Sequence, residues 1–84
     1  MKDLILTQLV APLEANAYDY LEAARDMNRI RGFSSKLEGD VLKTVTAILD
    51  SFQQAIDQDE EEAALKDIQK MIGYLEGYAL SLEG

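Results

Sequence analysis

The stretch LEGDVLKTVTAILDSFQQAI, residues 37–56, decides the fold class of this chain. Its apolar residues Leu37, Val41, Val45, Ile48, Phe52 and Ile56 recur at steps of four and three. In a helix of about 3.6 residues per turn, that spacing puts them all on one face. Leu42 and Leu49 flank the stripe, while Lys36, Asp40, Lys43, Asp50 and Gln54 lie opposite. A half-buried strand would alternate every second residue, and no such alternation of β-branched residues runs through the chain. Just upstream, Ser35-Lys36-Leu37-Glu38 fits a capping box, in which each polar side chain satisfies a free backbone donor. The pattern therefore predicts a helix over 35–57.

Downstream, the run Asp57-Gln58-Asp59-Glu60-Glu61-Glu62 supplies acids that suit the positive end of a following helix. Leu65, Ile68, Ile72, Leu75, Ala79 and Leu82 then alternate steps of three and four. This is the seam of a coiled coil or of a bundle helix, and it predicts a helix over 60–82. Upstream, Leu6, Val10, Leu13, Ala17, Leu21, Ala24 and Met27 hold one phase over residues 3–30. Pro12 lies inside that segment. It lacks a backbone donor and crowds the preceding turn. Because the apolar phase is the same on both sides, the expectation is one helix kinked at Pro12, with a split into two helices as the alternative. Gly32 reads as its C-terminal stop. Short connections near residues 31–35 and 57–60 make consecutive helices antiparallel. The expected fold is all-α, a small antiparallel three-helix bundle. Its first helix is longer than the others, so it either bends over the bundle or overhangs onto a second chain.

The chain has 84 residues, which bounds it to a single domain with a thin core. With no Cys and no His, it has neither disulfides nor the usual zinc ligands to staple it. Association with another chain is the staple left, so a homodimer or heterocomplex is expected. The net charge of −8 excludes general attraction to nucleic acids and anionic membranes. It favours basic partners or mimicry of a polyanion. Most of that charge lies in residues 43–84, which carry a net −6. At the N-terminus, Asp3, Thr7 and Gln8 interrupt the apolar run around Leu4-Ile5-Leu6, so it does not read as a secretory segment. The expected location is the cytoplasm.

No constellation of catalytic residues stands out, and no enzyme activity or cofactor is expected. An EF-hand loop counted from Asp57 would need Gly and Glu where Glu62 and Ile68 stand. Carboxylate-bridged metal bundles need inward Glu-x-x-His pairs, which this chain lacks. Ser34, Ser35 and Ser51 have no candidate base. Arg25, Arg29, Arg31 and Lys36 form a basic patch at the first turn-back. They suit a helix C-terminus and local pairing with Glu22 and Asp26, or an anion site edged by Phe33.

Candidate partner-binding residues fall in two groups. Tyr18 maps to the polar face of the first helix, in line with Glu22, Arg25 and Arg29, and Tyr and Arg are enriched at interface hot spots. Gly73-Tyr74-Leu75-Glu76-Gly77-Tyr78 repeats a Gly-Tyr pair one turn apart. Each helical Gly costs roughly 1 kcal/mol against Ala. Gly73, Tyr74, Gly77 and Tyr78 together make a candidate docking surface, or else mark a fraying end. The sequence has the character of small helical adaptors, secretion chaperones and phage-encoded proteins, without a motif that names a family. The expected function is a non-catalytic protein-interaction module: an adaptor, small chaperone or inhibitor. The alternative is an acidic mimic of nucleic acid that blocks a basic groove.

Overall fold

A computed structural model describes residues 2–82. Among these, every regular element is helical. The first stretch, α1, is α-helical over Lys2–Leu4, π-helical over Ile5–Val10 and α-helical again over Ala11–Ala15. Helix α2 covers Tyr20–Phe33 and leads into a 3₁₀ turn at Ser34–Lys36. Helices α3 and α4 cover Gly39–Asp57 and Glu61–Ser81. The described residues thus form four helices, not three.

The long first helix of the sequence reading is two helices, and the break is not at Pro12. Pro12 sits in the first turn of the final α-helical part of α1. The turn before it is widened, with the Ala11 amide donating to the Leu6 carbonyl five residues back. A π-helical turn gives room where a proline ring would crowd an α-helical carbonyl. The chain stays helical through the proline and stops at Asn16. Asp19 then caps α2, its Oδ1 accepting from the amides of Leu21 and Glu22, both at 3.2 Å. Asn16 Nδ2 donates to Asp26 Oδ2 at 2.9 Å, so the side chain that closes α1 also ties it to α2.

Length decides for two helices. A straight helix over residues 3–30 would run about 42 Å at about 1.5 Å per residue. The whole molecule is only 40 Å along its longest axis, and α4 spans about 32 Å on the same rise. Folding back lets α1 and α2 both pack on α4. It buries Ile5, Leu9, Val10 and Leu13 from α1. At about 1.5–3 kcal/mol for each fully buried apolar side chain, this far exceeds the few hydrogen bonds a break loses, each worth about 1 kcal/mol. The overhang expected from a long first helix is therefore absent among the described residues.

The break also resets the helical phase. Leu21, expected in the core, is 66% exposed and Ala24 only half-buried, while Ala23 and Ile30 join the expected Met27 in the interior. Helix α4 contacts every other helix and is the hub of the bundle. A two-position seam cannot serve that many neighbours. Its buried arc widens to Ala64, Asp67, Ile68, Met71, Ile72, Leu75 and Ala79, while Leu65 is half-buried and Leu82 exposed.

Two further expectations change at the second connection. Gly32 is not a stop, because α2 runs on through Phe33. The capping box at Ser35 does not form. The hydroxyls of Ser34 and Ser35 donate back to the carbonyls of Arg31 and Gly32, closing α2 rather than opening α3. Leu37 and Glu38 are extended, which points Leu37 into the core at 4% exposure. The chain then enters α3 through Gly39 at φ +62°. In this left-handed conformation a Cβ is costly, and that accounts for a glycine at this place. The α3–α4 turn is a Schellman motif, with Glu60 N donating to Ala55 O at 2.8 Å and Asp59 N to Ile56 O at 3.0 Å. Asp59 takes the left-handed position at φ 57°.

Two carboxylates lie in the interior. Asp26 is held by Asn16 and lies 3.7 Å from Arg29. Asp67 accepts from the Ser51 hydroxyl at 2.7 Å, joining α3 to α4, and lies 4.0 Å from Lys70. Both are pins between helices. Among the described residues, no helix is long and apolar enough to cross a membrane.

Candidate partner-binding surface

Tyr18 lies in the α1–α2 turn and is 88% exposed. The turn is held on both sides, by the Asn16–Asp26 hydrogen bond and by the Asp19 cap. The ring is therefore carried by an anchored loop and not by the polar face of a helix. The expected alignment of Tyr18 with Arg25 and Arg29 is lost, because the helix breaks between them. Instead, Tyr18 lines a shallow, open cleft of about 290 Å³ between the end of α1 and the middle of α4. Glu14, Ala17, Gln69, Ile72 and Glu76 complete the lining. Ala17 and Ile72 are buried and form an apolar floor. Glu14 and Glu76 are exposed at the rim. Among the described residues, no cation lines the cleft.

Along α4, the residues next to this cleft continue as an outward strip. Gln69, Gly73, Glu76, Gly77 and Leu80 follow at steps of four, three, one and three, which keeps them on one side of the helix. All are exposed, and Leu80 is 58% exposed. A Cβ added at Gly73 or Gly77 would meet nothing within 4 Å. Tyr74 and Tyr78 do not share this strip. They are half-buried and pack against the core. The expected four-residue surface thus divides, with glycines facing out and tyrosines turned in.

Arg25 is exposed on α2. Arg29 pairs with Asp26, Arg31 Nη2 lies 3.1 Å from Asp50 Oδ1, and Lys36 sits 5.5 Å from the centre of the Phe33 ring. Three of the four cations in the basic patch thus have partners within the chain. The acidic run places Glu60, Glu61 and Glu62 beside Lys66 around an open depression at the start of α4.

Nothing in the sequence pattern marks Glu14, Gln69, Ile72, Glu76 or Leu80 as binding residues. Ile72 was visible only as a core residue, and Glu14 has no spacing relation to α4. Only the packing of α1 on α4 brings these residues together. No protein-family model matches this chain, and comparisons with curated proteins and with solved structures return no match.

Proposed function

We propose that this chain is a non-catalytic protein-interaction module that docks its partner on the outward strip of α4 and on Tyr18. The observation that carries the reading is the placement of Gly73 and Gly77. They lie within the hub helix on the same outward strip as the exposed Leu80, and among the described residues no neighbour would need them to be glycine. Each costs the helix roughly 1 kcal/mol against alanine. Glycine at a helix surface allows another backbone to approach closely. Tyr18 adds a large, rigid aromatic contact of the type enriched at hot spots.

The test is site-specific photocrosslinking in cells. A photoreactive phenylalanine analogue is placed at Tyr18, at Leu80, and at Gln53 on exposed α3 as a control. The reading expects one discrete adduct shared by positions 18 and 80 and absent at 53. The adduct's mass separates a foreign partner from a second copy of this chain. Adducts equal at all three positions, or none at 18 and 80, would refute it.

A further inference from the structure

Building on that docking surface, we propose that its partner is a basic helix that seats an arginine side chain in the cleft between Glu14 and Glu76, beneath Tyr18. The cleft selects this chemistry in three ways. Its rim carries two carboxylates and no cation, and among the described residues neither Glu14 nor Glu76 makes an ion pair or a side-chain hydrogen bond. Its floor, Ala17 and Ile72, is apolar and suits the aliphatic stem of a long cationic side chain. Tyr18 presents a free aromatic ring at the same place, on which a planar guanidinium stacks. At about 290 Å³ and open to solvent, the cleft has room for an arginine side chain carried in by a docking helix.

Gly73 and Gly77 define the rest of the partner. They lie one turn apart beside the cleft and open a smooth track for the backbone of a helix. Charge selects against self-association here. A second copy would bring another −8 to a face already rimmed by carboxylates. A basic helix would instead be drawn in by the field of the whole chain.

The decisive experiment is a nuclear magnetic resonance titration of the whole chain, independent of any cellular partner. The probe is a synthetic alanine-based helix with one central arginine. A matched peptide carries citrulline, which is neutral and nearly isosteric, in its place. The arginine peptide should shift the amides of Ala17, Tyr18, Gln69 and Gly73. Exposed charge pairs each contribute modestly, so citrulline should weaken binding roughly five- to tenfold. Glu14→Gln combined with Glu76→Gln should do the same, and Tyr18→Leu should weaken the arginine peptide more than the citrulline one. Equal affinity for both peptides would overturn the proposal, as would shifts centred on residues 57–62 or the absence of shifts at millimolar peptide. If these arms fail while positions 18 and 80 still crosslink a partner, the docking surface stands and only the arginine assignment falls.

Discussion

Replacing Gly73 and Gly77 together by alanine should stabilise the isolated chain and impair its binding. Alanine is favoured over glycine by about 0.8–1.0 kcal/mol in a helix interior. Gly73 should give this gain nearly in full, since its Cβ would enter open space. Gly77 should give less, because it lies one turn from the end of α4 at Ser81, where helices fray. The pair should then add about 1.5 kcal/mol. For a domain of this size, 1 kcal/mol moves Tm by about 4–8 °C, so the double variant should melt about 6–12 °C higher. Circular dichroism at several protein concentrations, with urea denaturation alongside, measures it. Gly39→Ala is the internal control. Its left-handed backbone should turn the same substitution into a loss of about 1–2 kcal/mol. A Gly73/Gly77 variant that melts no higher than the parent would refute the claim that this face is open. A loss of stability that depends on concentration would show the strip to be covered by a second copy. If the strip is the docking surface, the stabilised variant should also lose the crosslink at position 80, since the new methyl groups hold the partner's backbone away.

Further substitutions test the fold. Asp19→Ala removes the cap on α2 and should cost about 1 kcal/mol in urea denaturation, with no change in helix content beyond the first turn of α2. Ser51→Ala deprives the buried Asp67 carboxylate of its 2.7 Å hydrogen bond and should cost about 1–3 kcal/mol; a double-mutant cycle with Asp67→Ala isolates the pair. Asp59→Gly places glycine in the left-handed position of the α3–α4 turn and should raise stability by about 0.5–1 kcal/mol, and a loss there would contradict the Schellman geometry. Leu21→Ala should change stability by less than about 0.5 kcal/mol, whereas Leu13→Ala should cost about 2–5 kcal/mol; equal losses would restore the single long first helix.

Much of the fold was legible locally. The stripe from Val41 to Ile56 located α3, and the heptad from Leu65 to Ala79 located α4, whose ends fall within a residue of those expected. Two local signals competed with others and were misread. Asp19-x-x-Glu22 is itself a capping pattern, and it marks the start of α2 better than Pro12 marks a kink. Ser35-x-x-Glu38 has the same form and fails, because Leu37 gains more by extending into the core than Ser35 does by capping. Gly39 takes the positive φ that this extension requires.

The exposure of Tyr18 and of Gly73 and Gly77 was also readable, since each falls off its apolar stripe. Their association was not. Helical periodicity and caps act between residues three to five apart, so the sequence by itself determined the all-helical class, the extent of α4, the C-terminal end of α3, and the side each faces to the core. The division of residues 3–30 and the phase of α2 depended on α1 having to fold back onto α4 to bury its apolar side chains. The same fold brings Glu14, Tyr18 and Glu76 to the lining of one cleft. These residues are far apart along the chain, and only the tertiary structure decided that they meet.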